Sequence, residues 1–296
     1  MLKFNPDLIE DLARRRVVLF LGAGVSASAA TISGDRIKQW ECFLRSLLEK
    51  VPDRTLRELA TNFIAQKDFL MACQIMRELL EDDSHWEEEL RKEFAKVGVS
   101  SDLHKAIVSL DQRIIVTTNF DKILETVWHD CKPTATHYPT IIQSLDDDVF
   151  KIFRNELYYI IKLHGSIDEP KSMIFSKSDY NKNAYGNWAY TKFIEILLVT
   201  HTFLFIGFSM NDPAISHLVE MHAQLLPKSR PHYIFLPGEM PEKYIDIMKR
   251  LRRLFVLPYS TDNNHAALIE LIKELADKAQ ARRRAILGEE LRLLTK

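Results

Sequence analysis

The sequence predicts an α/β fold, a doubly wound parallel sheet of the Rossmann-like kind with a helical insertion after the first strand and a helical C-terminal tail. Two patterns carry this reading. Short continuous apolar runs recur along the chain, VVLFL at 17–21, RIIVTT at 113–118, LYYIIKLHG at 157–165, FLFIGFS at 203–209, HYIFLPG at 232–238 and LFVLPY at 254–259. Runs of this length read as strands buried on both faces of a parallel sheet, and the helical spacing between most of them supplies the crossovers. From about residue 36 to 110 the apolar residues instead recur at three and four, as in IKQWECFLRSLLEK and DFLMACQIMRELL, with Pro52 and the Asp82-Asp83 pair as breaks.

The first element is a helix. Asn5 is placed to cap it and Pro6 to begin it, with Asp7 and Glu10 near its positive end and the arginines at 14–16 near its negative end. The last, over residues 264–296, is one or two amphipathic, arginine-rich helices. The short charge runs at 14–16, 146–148 and 282–284 read as solvated faces.

The 296 residues, 46% of them apolar, suffice for an ordinary globular core. With 40 basic and 41 acidic side chains the formal charge is −1, which argues against a chain built to coat nucleic acid or an anionic membrane. Cys42, Cys73 and Cys131 are three widely spaced cysteines, so neither a disulfide framework nor a paired-cysteine zinc site is indicated. The N-terminus lacks the apolar stretch of a signal peptide, and no run of about 18 apolar residues follows, so a soluble cytoplasmic protein is expected.

Four segments sit just after predicted strands, where parallel sheets place ligands: GAGVSA at 22–27, TTNFD at 117–121, KLHGS at 162–166 and GFSMND at 207–212. In the first, Gly22 allows the turn, Gly24 a close approach, and Ala27 stands at the third small position of a dinucleotide fingerprint. A dehydrogenase needs an acid at the end of a second strand about 20 residues on. Glu41 has that separation but falls inside a helical stretch, so it reads as an exposed helical acid.

Together and in this order the four motifs resemble the sirtuin family, and more closely the bacterial sirtuin-like domains of antiphage defence. The closing LPYSTDNNHAALIELI is also similar to those domains, and the likeness covers roughly residues 15–275. It implies a sirtuin-like NAD-binding domain over 1–275, with 36–110 as an inserted helical subdomain and 276–296 as a tail. NAD is then the substrate, Asn119 and His164 are catalytic, and Gly22, Ala23, Gly24, Ser26, Thr118, Asp121, Gly207, Ser209 and Asp212 hold the dinucleotide. Read from the residues alone, Asn119 and Asp121 have helix capping as their alternative role, Asp212 before Pro213 equally suits a helix start, and His104, His201 and His217 are structural or surface histidines.

The chain departs from sirtuin deacetylases in lacking their two paired-cysteine zinc motifs, so no metal is expected. The family's continuation after the glycine loop is replaced by AATISGDRIKQW, where Asp35 and Arg36 align only with a shift; Trp40 corresponds to a tryptophan of the defence members or packs in the helical block. The resemblance therefore implies an NAD hydrolase that depletes NAD in antiphage defence, with lysine deacylation or non-catalytic binding of NAD or ADP-ribose as alternatives. It further implies a homo-oligomer working with a partner protein, a HerA-type ATPase first, an Argonaute-like or phage protein otherwise.

Overall fold

The computed structural model describes residues 4–31, 34, 36–79, 83–95, 98–99, 101–132 and 138–294. Asp35 and the break at Asp82 lie outside the described residues. The strands are β1 Val17–Leu21, β2 Ala30–Thr31, β3 Gly98–Val99, β4 Ile114–Thr117, β5 Thr140–Ile142, β6 Tyr159–Lys162, β7 Thr202–Ile206, β8 His232–Pro237 and β9 Leu254–Tyr259. The helices are α1 Pro6–Ala13, α2 Ala23–Ser26, α3 Trp40–Leu48, α4 Arg54–Ala65, α5 Phe69–Leu79, α6 Asp83–Phe94, α7 Asp102–Ser109, α8 Ile123–Cys131, α9 Lys177–Asp179, α10 Trp188–Thr200, α11 Pro213–Leu225, α12 Glu242–Arg252 and α13 Asp262–Leu294.

Seven strands form one parallel sheet in the order β5-β6-β4-β1-β7-β8-β9. Every residue of β1, β4, β6 and β7 is buried because helices cover both faces. Along β1, Val17, Leu19 and Leu21 enter one apolar cluster and Val18 and Phe20 the other, the period of two that a strand imposes. The first cluster is closed by α1, by α3 to α8 and by α13; the second by α10, α11 and α12. Strand order reverses at β1, whose neighbours are β4 on one side and β7 on the other, so a crevice is expected outside the carboxyl ends of these strands.

Six apolar runs of the sequence are strands of this sheet, and the helical insertion and helical tail are both present. The seventh strand, β5, has only three residues, none fully buried, and sits at the sheet edge, too short and too exposed to leave an apolar run. The antiparallel pair β2 and β3, two residues each, leaves still less of a pattern. Asn5 caps α1 by accepting from Asp7 N at 2.9 Å, with Pro6 in the first turn. Helix α13 runs without interruption across position 275, after Asn263, Asn264 and His265 have turned the chain through left-handed backbone.

Two of the basic runs are not simple solvated faces. Asp111, between α7 and β4, accepts from Arg15 at 2.5 Å, from Arg283 of the tail at 2.6 Å, from Tyr158 at 3.1 Å and from Lys132. Arg283 also donates to the carbonyls of Leu12 and Ala13, so one carboxylate ties the tail to α1 and to the sheet. Burial acts to raise the Asp111 pKa, but its bonds to Lys132 and Arg15 outweigh burial and hold it to about 2. The carboxylate therefore stabilises the fold above pH about 4, and that contribution is lost as pH falls towards about 2. Asp111→Asn leaves three cations without their anion. It is expected to cost about 2 kcal/mol, between the values for exposed and buried ion pairs, read as a lower urea midpoint at neutral pH with unchanged slope.

Candidate functional site at the carboxyl edge of the sheet

The four motifs leave the sheet from four adjacent strands in one register. Leu21 pairs with Thr117 and Ile206, and Thr117 pairs with Lys162. The ladder continues one step further, with Gly22 N bonded to Ile206 O at 3.0 Å, Thr118 N to Leu21 O at 3.2 Å and Leu163 N to Thr117 O at 2.8 Å. Asn119 and His164 thus stand at the same level on neighbouring strands, each two residues past the last paired position.

The glycine loop opens a helix of only four residues, α2. Its glycines answer first to the neighbouring loop. A Cβ on Gly22 would lie 2.5 Å from Gly207 O, and one on Gly207, whose φ is +62°, would lie 2.6 Å from Val25 N. Gly24 N donates to Gly207 O at 2.9 Å, so the β1 and β7 loops are laced together backbone to backbone. Ala23 and Ser209 are exposed and Gly24 is half-buried.

Asn119 donates from Nδ2 to Gly22 O at 3.0 Å. Because a carbonyl can only accept, this fixes the orientation of the amide, and among the described residues no donor reaches its Oδ1. Its backbone N–H is held by Thr117 Oγ1 at 3.0 Å. Asn119 therefore joins the glycine loop rather than capping α8. Ser26 and Asp121 bond to each other, Oγ to Oδ2 at 2.5 Å, both buried, while Asp121 Oδ1 accepts from Ile123 N at 3.1 Å. Asp121 thus caps the start of α8 and braces the glycine loop at once. Thr118 is half-buried, its N–H bonded to Leu21 O in the extended ladder.

Behind this group lie two side chains that the sequence did not single out for the site. Lys162, 1% exposed, donates to Asp121 O and to Glu125 Oε1 at 2.8 Å. His104, on α7, is buried near Asp121 and shares a hydrogen bond with Ser101 at 2.7 Å. Burial lowers its pKa to about 4 against the opposing pull of Asp121. His104 reads as structural, as its lack of motif context predicts.

His164 is 2% exposed and belongs to a second group. Its Nε2 lies 3.3 Å from the Tyr190 hydroxyl and 3.4 Å from Asp212 Oδ2, and its ring meets the Tyr180 ring edge-on at 5.4 Å. Burial depresses the imidazole pKa and Asp212 partly restores it. Asp212 Oδ1 caps α11 by accepting from Ile215 N at 2.9 Å, and Oδ2 accepts from Tyr180 at 2.5 Å. Gly165, at φ +82°, is demanded by the chain itself, since a Cβ there would lie 2.3 Å from Ser172 O. Among the described residues no hydrogen bond or ion pair joins Asn119 to His164. The two groups share an edge and a level rather than a bond.

An open depression of about 720 Å³ adjoins this edge beyond β5, lined among others by Leu145, Asp146, Asn187 and Trp188. None of its lining residues belongs to the four motifs, and its open shape makes it a weaker candidate than the strand-end groups. Trp40 stacks on Phe175 at 4.4 Å within an aromatic cluster that includes Phe43, and Arg36 donates to Asn264 at 3.2 Å on the surface. Among the described residues no group of three His, Cys, Asp or Glu side chains lies within reach of one metal ion, and no helix is long and apolar enough to cross a membrane.

Comparison with known proteins agrees with this geometry. The SIR2-like domain family matches residues 113–258, the stretch from β4 to β9. NAD(+) hydrolase ThsA of Bacillus cereus (strain MSX-D12) is 24% identical over 94% of this chain and 56% of its own length. NAD(+) hydrolase ThsA of Enterococcus faecium is 26% identical over 80% of this chain and 46% of its own. Defense-associated sirtuin 2 of Bacillus subtilis is 22% identical over 77% of this chain and 21% of its own. The chain spans about half the length of the first two of these relatives. The matched stretch, the parallel sheet and the motif-bearing strand ends together show a sirtuin-like α/β fold with a SIR2-like domain over residues 113–258.

Proposed function

We propose that this chain is an NAD hydrolase that cleaves the bond between nicotinamide and ribose, releasing nicotinamide and ADP-ribose. The observation that carries the reading is the placement of Asn119 and His164 at one level of adjacent strand ends, in a chain similar to proteins named NAD(+) hydrolases. The pyridinium nitrogen takes the bonding electrons and leaves as neutral nicotinamide, so no Lewis acid is required. Positive charge spreads over C1′ and the ring oxygen, water attacks C1′, and the water's proton goes to a base.

His164 is the base. Its burial favours the neutral imidazole, the form that accepts a proton at neutral pH. Asn119, its Nδ2 pinned by Gly22 O, offers Oδ1 to a ribose hydroxyl or to the attacking water. Gly22, Ala23, Gly24, Ser26, Thr118, Asp121, Gly207, Ser209 and Asp212 then surround the dinucleotide at the switch point. In the same reading the protein is a soluble, cytoplasmic defence effector that depletes NAD. It works as a homo-oligomer with a partner protein, a HerA-type ATPase ahead of an Argonaute-like or phage protein.

The test is mass spectrometry of NAD incubated with the purified protein, with and without an acetylated peptide. Nicotinamide and ADP-ribose are expected in both arms. Product formed only with peptide would turn the reading to lysine deacylation, and NAD binding without nicotinamide release to a non-catalytic module.

A further inference from the structure

Tyr180 lies outside all four motifs, yet it is 2% exposed and touches the proposed base. It opens a π-helical turn, Tyr180–Tyr185, and the segment before it is fixed from several directions. Ser176 and Asp179 form a capping box, with Asp179 Oδ2 accepting from Ser176 N at 2.9 Å. The helical insertion holds the same segment through Arg77 to Asp179 at 3.0 Å, through Gln74 Oε1, which accepts from Ser178 N at 2.9 Å, and through the Trp40–Phe175 stack. The Tyr180 hydroxyl is thereby aimed at Asp212 Oδ2, 2.5 Å away. Asp212 Oδ1 is occupied by the cap of α11, so Oδ2 is the oxygen that faces both Tyr180 and His164.

We propose that Tyr180 is a positioning residue for the base: its hydroxyl holds Asp212 Oδ2 beside His164 and shares that oxygen with the imidazole, setting how tightly His164 keeps a proton. The proposal rests on the reading of His164 as proton acceptor. A carboxylate oxygen that accepts a short O–H bond has part of its charge compensated, which weakens its hold on a neighbouring imidazolium. Without the hydroxyl the full charge would act on His164, the imidazolium would be favoured, and less neutral base would be present at a given pH. The titratable groups facing His164 are Asp212 from the start of α11, Tyr190 from α10, and Tyr180 from the π turn, with Tyr185 behind Tyr180; the charged one is Asp212.

Tyr180→Phe keeps the ring and its packing while deleting the hydroxyl. In protein with isotope-labelled histidine, the His164 resonance, assigned by its loss in His164→Ala, is expected to titrate about half a unit or more higher than in wild type. The acid limb of nicotinamide release should move up with it, and turnover at the wild-type optimum should fall about three- to tenfold with little change in KM. A His164 midpoint and acid limb unchanged in folded Tyr180→Phe overturn the proposal. Should that variant fail to fold, Tyr180→Met, which also lacks the hydroxyl, is read in the same way: its His164 midpoint must rise, and an unmoved midpoint overturns the proposal equally. The resonance is read without turnover. A wild-type protein that releases no nicotinamide would therefore defeat the functional reading, while the midpoint would still decide Tyr180's hold on His164.

Discussion

Asn119→Ala and His164→Ala are each expected to lower nicotinamide release by at least about a hundredfold, the lower end for losing a positioned acid-base group. The two side chains come from different strands and different hydrogen-bonded groups, so neither truncation strips the other's partners. Asn119→Ala removes one bond to Gly22 O and leaves the lacing of the two glycine loops intact. His164→Ala opens a void beside Tyr180 and Tyr190, but Asp212 keeps its bonds to Tyr180 and to α11. Both variants should therefore fold and bind NAD through the loops at Gly22 and Gly207. The double variant should be little worse than either single one, because groups that act as a unit do not add. Nicotinamide release, NAD affinity and the thermal midpoint would be measured on the same preparations. Near-normal turnover in folded His164→Ala removes the base, and unfolding of both variants reduces the two residues to structural parts.

What the sequence made legible was governed by whether the physics is local. VVLFL and its counterparts are strands because each residue must face an apolar layer, and that requirement shows in consecutive letters. The same holds for the capped start at Asn5 and Pro6 and for the motif positions, which follow strand ends by the logic of a parallel sheet. The edge strand β5 was invisible because its three residues owe their form to pairing with β6 rather than to burial. The site partners were hidden for a related reason. Tyr180 meets Asp212 across 32 residues of sequence and Lys162 meets Glu125 across 37, and no spacing rule encodes such contacts. The glycines show a subtler limit: their motif was readable, yet the backbone that crowds Gly22 is Gly207, a neighbour only once the sheet has formed.

Acid should destabilise this protein well before its carboxylates titrate, because the fold buries histidines in neutral form. His232, in β8, accepts from Phe203 N at Nδ1, 3.1 Å away, so its proton sits on Nε2, buried without a hydrogen-bond partner among the described residues. Burial, with His222 and Arg253 adding repulsion, lowers its pKa to about 3, and His104 is lowered to about 4 mainly by burial. Both rings protonate near pH 6.5 in the unfolded chain but stay neutral in the folded one, so below about 6.5 the unfolded state binds more protons and stability falls with pH. The loss is about 1.4 kcal/mol per pH unit for each ring, or about 4 kcal/mol for the pair at pH 5, and it levels off as pH nears 4 and then 3. Against a total stability of about 5–15 kcal/mol, that corresponds to a thermal midpoint lower by on the order of 10 °C at pH 5 than at pH 7. Asp111 contributes nothing to this window, since its carboxylate is charged in both states above pH about 5. His232→Gln, whose amide oxygen can still accept from Phe203 N, should lower the neutral-pH midpoint modestly and make the dependence between pH 7 and 5 shallower, leaving the part due to His104 and to His201, whose pKa burial likewise lowers to about 4. A midpoint that stays level from pH 7 to 5 in the wild-type protein, or an unchanged slope in folded His232→Gln, would mean that these rings are not held neutral by burial.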